Sequence, residues 1–242
     1  MNDPIRRARA AWLFLLLAAP VQLIGTTLAM VAFPEATWTK VGFGVAKVLL
    51  MLAPVVWLLK VEKVPIKIPR WSNRGMLWAH GTGALIFTVI AGVYYGFAHA
   101  WTDPTVMLEK VRQFGLDRIG LYLLGALYWC TINSMLEEYF WRWFVYERLR
   151  DVLPTSLRGK AVGVGLAVFV CGLLFTAHHV VALSVYFDAK TTALASLGVF
   201  IGGVTWSWLY AKAKNIYAAY VSHVWADVII FWIGWQLIFG GG

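Results

Sequence analysis

Long apolar runs dominate the pattern of hydrophobic and polar positions along the chain. Seven runs reach the roughly 17–25 residues that a helix needs to cross a bilayer. They cover about 11–33, 41–59, 76–100, 119–147, 162–187, 192–211 and 216–239. Because a chain in lipid must satisfy its backbone hydrogen bonds internally, each run predicts a transmembrane helix. We therefore predict an all-α fold, a polytopic transmembrane helical bundle of about seven spans, with residues 1–242 forming one integral-membrane domain.

Two segments bear on the number of spans. The first run follows Arg6, Arg7 and Arg9 and is too long for a cleaved signal peptide, so we expect a retained anchor. The 103–118 stretch is amphipathic and is expected to lie along the outer surface of the membrane. If it enters the lipid, the number of spans becomes eight. Glycine pairs at 92 and 96 and at 198 and 202 favour close helix contacts.

Composition agrees with a membrane location. The chain is 60% hydrophobic and 14% charged, whereas soluble domains average roughly 45–50% and about 25%. These values exclude a disordered chain, a collagen-like repeat and a soluble nucleic-acid binder, so no nucleic-acid partner is expected despite the net charge of +9. Cys130 and Cys171 lie inside apolar runs, so no disulfide framework is predicted.

The distribution of basic residues predicts the orientation, because Lys and Arg accumulate in cytoplasmic loops. The first side has Arg6, Arg7, Arg9, Lys60, Lys63, Lys67, Arg70, Arg74, Arg148, Arg150, Arg158, Lys160, Lys212 and Lys214. The other side has Lys40, Lys110, Arg112, Arg118 and Lys190. We therefore predict a cytoplasmic N-terminus and a C-terminus on the opposite side.

Ionisable side chains inside the spans are concentrated in the later half of the chain. Each costs about 2.5–3.5 kcal/mol on insertion scales and so needs a reason to be there. The earlier spans have Lys47 and His80, whereas the later spans have Glu137, Glu138, Arg142, His178, His179, His223 and Asp227, together with the polar but uncharged Asn133. Polar groups on three otherwise apolar helices predict one shared buried site.

Spacing in the fourth run separates two neighbouring glutamates. Glu138 and Arg142 are four residues apart, so they share a helix face and can form an ion pair. Glu137 is rotated by about 100° from Glu138 and is therefore free for chemistry.

Two further spacings complete the site. His223 and Asp227 are also four residues apart, so the carboxylate either accepts the imidazole N–H or faces a common target with it. In the fifth run Phe175 and His179 share a face, and we expect His178 to be turned away in a structural role.

Three short motifs in this order carry a resemblance to a known family. EEYFWR at 137–142, FTAHH at 175–179 and HVWAD at 223–227 resemble the motifs of the CPBP (Abi) intramembrane proteases, which include enzymes of the CAAX prenyl protease 2 type. The resemblance covers about 120–235, the predicted protease core. It implies hydrolysis of a peptide bond in a membrane-associated peptide or protein, with the lipid bilayer as the other partner.

The resemblance also implies roles for individual residues. Glu137 corresponds to the glutamate that activates water, and Glu138 with Arg142 to a structural pair. The remaining site residues are His179, His223 and Asp227. Related enzymes often have Asn at the last position, which can donate to an oxyanion, whereas an ionised Asp cannot. Either Asp227 is protonated, or it orients His223 and the imidazole donates.

Glutamate chemistry without a cofactor is the favoured mechanism. A glutamate shielded from water is a stronger base, so Glu137 would deprotonate the attacking water. The alternative is a metalloprotease in which Glu137, His179, His223 and Asp227 bind zinc. The compact HExxH helix of many zinc proteases does not occur in the sequence.

Two functions without proteolysis stay open. A buried Glu/His/Asp set also serves proton-coupled transporters, although the sequence shows no inverted repeat. A non-catalytic membrane partner protein is the other alternative.

Overall fold

A computed structural model of the chain describes residues 4–65, 71–113 and 115–240. Within these ranges every regular element is helical and no strand is present. Lys67 and Arg70, which contribute to the predicted orientation, lie outside the described residues, as does the side chain of Lys110. The all-α fold predicted from the apolar runs is confirmed.

Eleven α-helices follow one another along the described chain. They are α1 (Pro4–Thr27), α2 (Thr37–Val56), α3 (Met76–Gly96), α4 (Pro104–Gln113), α5 (Ile119–Leu127), α6 (Ser134–Glu138), α7 (Glu147–Val152), α8 (Thr155–Arg158), α9 (Ala161–Tyr186), α10 (Ala189–Ala213) and α11 (Ile216–Phe239). Several are extended by π-helical turns, at Leu28–Ala32, Trp57–Glu62, Tyr128–Asn133 and Tyr139–Tyr146, and a 3₁₀ turn covers Ala98–Trp101.

Seven helical segments are long and apolar enough to cross a membrane, which confirms the predicted number. They are Ile5–Ala32, Thr37–Glu62, Met76–Gly96, Ile119–Val152, Ala161–Tyr186, Ala189–Ala213 and Ile216–Phe239. The fourth span joins α5, α6 and α7 through two π-helical segments. With 10 residues, α4 is too short to be an eighth span. The chain is therefore a multi-pass integral membrane protein, and its orientation stays a prediction.

A tight turn sets α11 beside α10. Lys214 ends α10 in the left-handed conformation with φ of 59°. The Asn215 side chain then accepts hydrogen bonds from the backbone N–H groups of Tyr217 and Ala218, at 3.1 and 3.2 Å. An Asn in this position satisfies N–H groups that the first helical turn leaves without partners. The short connection brings the first turns of α11, which contain His223, next to the end of α10.

Helices α9 and α10 pack closely at two glycines that face each other. A Cβ atom added to Gly203 would lie 3.3 Å from the Gly172 Cα atom and 3.1 Å from the Phe175 ring. The absence of side chains lets the two backbones approach closely, as small residues do in membrane helices. The glycine pairs that the sequence pattern singles out permit such contacts, but an added Cβ atom at Gly92, Gly96 or Gly198 meets nothing within 4 Å.

A ring of four charged side chains joins the first, second and fourth spans at one end of the bundle. Arg7 contacts Glu62 at 2.9 Å and Asp151 at 3.0 Å. Arg148 closes the ring, with 3.5 Å to Glu62 and 3.0 Å to Asp151. The Arg148 guanidinium also lies 4.2 Å from the centre of the Trp57 ring. Opposite charges alternate around the ring, so each compensates its neighbours as the spans pack together.

The glycine contact gives a test of this packing. We expect Gly172→Val to lower the thermal unfolding midpoint of the detergent-purified protein, because an added Cβ atom would lie 2.7 Å from a methyl group of Val204. Overpacking of this kind costs about 1–3 kcal/mol. Gly92→Val is the matched control, since it makes the same change in a transmembrane helix facing open space. Equal midpoints for the two variants would contradict the contact.

Candidate active site

The shape of the fourth span places its two glutamates at the centre of the bundle. Glu137 and Glu138 end the short helix α6, which lies between the π-helical segments Tyr128–Asn133 and Tyr139–Tyr146. Such π-helical turns often occur at functional sites. Both glutamates are buried, with 7% and 0% of their surface exposed. The structure therefore places two carboxylates together in an apolar interior, where each needs polar partners.

Glu138 is bound on both carboxylate oxygens. The Arg142 Nε atom lies 3.1 Å from Oε2, which is the ion pair that the four-residue spacing predicts. The second oxygen, Oε1, is 2.9 Å from Nδ1 of His223 on α11. Because all three side chains are buried, this contact links two spans through compensating charge. The sequence did not predict that Glu138 binds His223.

These contacts determine which atom of His223 faces the site. A carboxylate that is paired with arginine only accepts hydrogen bonds. Nδ1 of His223 is therefore protonated, and its N–H group donates a hydrogen bond to Glu138. The other ring nitrogen, Nε2, lies 3.9 Å from Glu137 Oε2 and 3.7 Å from Asp227 Oδ1. The Trp206 ring stacks on the imidazole at a centroid distance of 3.8 Å. Nε2 is thus held between two carboxylates.

Asp227 is oriented by a residue of the fourth span. The Ser134 hydroxyl lies 2.5 Å from Asp227 Oδ2. The distance from Asp227 to His223 is longer than a hydrogen bond. Of the two arrangements left open by the spacing, the structure therefore favours the one in which His223 and Asp227 face a common space.

Glu137 has one bound oxygen and one that faces the histidines. The side-chain amide of Asn133 donates a hydrogen bond of 2.9 Å to Oε1. Lys47, on α2, lies behind Asn133 and donates to its amide oxygen at 3.2 Å. Oε2 is the oxygen that faces His223. Glu137 is therefore fixed at one side and open at the other.

His179 presents one ring nitrogen to Glu137. Its Nδ1 atom lies 2.9 Å from the backbone carbonyl of Phe175, which can only accept, so Nδ1 is the protonated nitrogen. In the neutral ring Nε2 then has a free lone pair. Such a nitrogen can accept a hydrogen bond from water or bind a metal ion.

His178 is not turned away from the site, so that part of the sequence interpretation is wrong. Glu137, His178 and His179 each offer an atom that could bind a metal, and these atoms all lie within 4.8 Å of one another. The ring of His178 stacks parallel to Trp141 at a centroid distance of 5.8 Å. This group differs from the zinc ligands expected from the sequence, because it includes His178 and leaves out His223 and Asp227.

The structure thus brings Glu137, His179 and His223 together, with Asp227 at the edge, while their catalytic roles stay predictions. Lys47 and Asn133 were predicted only as polar groups inside the spans, and Ser134 and Trp206 were not singled out. Two of these residues have a sequence feature from which a place in the site could have been predicted. Asn133 lies four residues before Glu137 on the same helix face, and Lys47 is an ionisable residue in an apolar span.

Comparison with known proteins identifies part of the chain. Residues 119–229 match the family model described as "Rce1-like: Type II CAAX prenyl endopeptidase Rce1-like". No curated protein and no solved structure matches the chain. The match confirms the resemblance to the CPBP family, and it implies a membrane protease with a peptide or protein substrate. It includes all the site residues named above except Lys47.

Removal of the Glu138 carboxylate tests the buried pair. We expect Glu138→Ala to reduce the yield of folded protein, because Arg142 would be left buried without its partner, which typically costs about 3–5 kcal/mol. The measurement is the folded fraction by size-exclusion chromatography and thermal unfolding. Asp117→Ala is the control, since it breaks the exposed contact of 3.7 Å with Arg112 and exposed pairs contribute little. Wild-type stability of Glu138→Ala would contradict the assignment.

Proposed function

From the membership of residues 119–229 in the Rce1-like family, we propose that this protein is an intramembrane endopeptidase in which Glu137 activates the attacking water. One observation carries this proposal. The buried Glu137 carboxylate is held on Oε1 by Asn133, while Oε2 faces His223 of α11 and the carboxylate lies beside the two histidines of α9. A carboxylate with one free oxygen beside imidazole groups is suited to move a proton.

The proposed reaction begins at the open side of Glu137. A water molecule donates one proton to Oε2 and is held by the lone pair of His179 Nε2. As Glu137 takes that proton, the water oxygen attacks the carbon of the scissile carbonyl. Glu137 then returns the proton to the amine nitrogen as the carbon–nitrogen bond breaks. The carboxylate is thus restored at the end of the reaction.

His223 is the proposed donor to the oxyanion. Its Nδ1 proton is directed to Glu138, so Nε2 can donate only when the ring carries a proton on each nitrogen. The carboxylates of Glu137 and Asp227, at 3.9 and 3.7 Å, compensate the charge of that form. Stabilisation of developing negative charge by a fixed donor is a major part of catalysis in acyl transfer. In this proposal Asp227 supports His223 and does not donate itself.

The family description also suggests where to look for a substrate. It names prenylated CAAX sequences, so a membrane-associated peptide with such a C-terminus is the first candidate. The two histidines and Glu137 lie among transmembrane helices, which suits a substrate that is itself held at the bilayer.

A metal-dependent form of the same reaction is the second candidate. The observation that favours it is the grouping of Glu137, His178 and His179 within 4.8 Å. The donor set of two imidazoles and one carboxylate suits zinc. A zinc ion held there would supply Lewis-acid polarisation of the carbonyl. Against this form, Glu137 Oε1 already accepts from Asn133, and the positive charge of Lys47 lies behind that amide.

Replacement of the proposed base is the direct test. We expect Glu137→Gln to fold normally and to lose turnover by about 10²–10⁴-fold, the usual contribution of a general base. The measurement is mass spectrometry of peptide products formed from membrane-embedded candidate peptides, including a prenylated CAAX peptide. Glu109→Gln, the same change on the exposed face of α4, is the matched control. Full turnover by Glu137→Gln would contradict the proposal, and substrate flux without cleaved product would indicate a transporter.

Chelation separates the two forms of the mechanism. We expect the purified protein to keep its activity in excess chelator and to contain less than about one equivalent of zinc, because the favoured chemistry uses glutamate alone. Activity is measured before and after chelation, with metal content determined by elemental analysis. Loss of activity that is restored by added zinc would instead support the metal-dependent form.

A further inference from the structure

Lys47 occupies an unusual position for a charged residue. It lies in the second span, where it is the one ionisable residue between Lys40 and Lys60. At about 1.5 Å per residue, it is about 15 Å along the helix from Thr37, inside the span Thr37–Glu62. A charged side chain at such a depth is costly and commonly functional.

The contacts of Lys47 lead to the catalytic glutamate. Its Nζ atom donates to Asn133 Oδ1 at 3.2 Å, and Asn133 Nδ2 donates to Glu137 Oε1 at 2.9 Å. Lys47 therefore belongs to the site through these hydrogen bonds, although it lies outside the segment that matches the family.

The order of donors and acceptors fixes the orientation of the amide between them. An ammonium group has protons to donate and no acceptor, whereas an ionised carboxylate only accepts. Asn133 must therefore turn its oxygen to Lys47 and its NH₂ group to Glu137. Without the ammonium group, the amide could rotate and point its oxygen at the carboxylate, which would repel Glu137.

We infer that Lys47 is a positioning residue for Glu137, acting through Asn133. By holding the amide in one orientation, Lys47 keeps the Asn133 NH₂ group on Oε1 of Glu137, which leaves Oε2 facing His223 and available to the water. The inference rests on the proposed function, in which Oε2 takes the proton. It gives the second span a part in the reaction.

The experiment compares three single variants and one double variant, the last against Asn133→Ala as its reference, in the peptide-cleavage assay. We expect Lys47→Met to lower kcat by roughly 10–100-fold, as loss of an orienting outer partner does, with KM changed less than about 3-fold. Lys47→Arg should recover a large part of the loss, because it also donates without accepting. Lys40→Met removes the same charge seven residues earlier on the same helix, from an exposed position, and should leave kcat unchanged.

The fourth variant shows whether Lys47 acts through the amide. In protein that already contains Asn133→Ala, adding Lys47→Met should change kcat no further, because the group that it orients is gone. An additional loss of more than about 3-fold in that background, or a wild-type kcat for Lys47→Met alone, would overturn the inference while leaving the role of Glu137 intact.

A structural measurement decides the matter even if no peptide is cleaved. Failure of the wild-type protein to cleave, or full activity of Glu137→Gln, would count against the proposed function. Experimental structures of wild type and Lys47→Met in lipid nanodiscs then test the inference separately. We expect the Asn133 amide nitrogen to leave hydrogen-bond distance of Glu137 in the variant. An unchanged contact would overturn the positioning role.

Discussion

The arrangement of the site depends on the Glu138 carboxylate, which binds Arg142 on its own helix and His223 on α11. A buried guanidinium or carboxylate is strongly unfavourable alone, so the three groups are stable in the interior only as a set. The set also fixes distances between helices, since α11 can dock only where its imidazole reaches the carboxylate. One ionic contact therefore joins the fourth and seventh spans and selects the nitrogen that His223 turns towards Glu137 and Asp227.

The two adjacent glutamates have different partners because they point in different directions around the helix axis. Glu138 has both oxygens occupied by permanent partners. Glu137, rotated around the helix axis, has one oxygen bound by an amide and the other facing imidazole groups. A fully satisfied carboxylate stabilises the fold, and a partly satisfied one can exchange a proton. The neighbouring positions hence differ in their contacts although the side chains are chemically identical.

Much of this could be predicted from local sequence. Hydropathy predicts seven spans because each run must satisfy its backbone in lipid, and a four-residue spacing predicts the contact between Glu138 and Arg142 because both lie on one helix. Contacts between helices are less accessible. The ring of His178 lies against that of His179, at a centroid distance of 4.0 Å, and offers an atom within 4.8 Å of Glu137 although it points in another direction around α9. The direction in which a residue points around its own helix does not show which side chains of neighbouring helices it can reach.

Two further features depend on tertiary packing. The backbones meet at Gly172 and Gly203, whose spacing in the sequence gives no sign of it, and not at the regular glycine pairs. The partner of Lys47 lies 86 residues away in the chain. The sequence shows that Lys47 is an isolated cation in an apolar span, but it does not show which side chain of another helix Lys47 contacts.

The charged ring of Arg7, Glu62, Arg148 and Asp151 determines how much of the chain a fragment must include to keep these ion pairs. Two members of this ring, Arg148 and Asp151, lie within residues 119–229, and the other two come from the first and second spans. A fragment limited to residues 119–229 would keep only two of the four charged side chains of this ring. Arg148 would then lack Glu62, and Asp151 would lack Arg7. The part of the chain that keeps all four charges of this ring together is thus longer than the segment that matches the family.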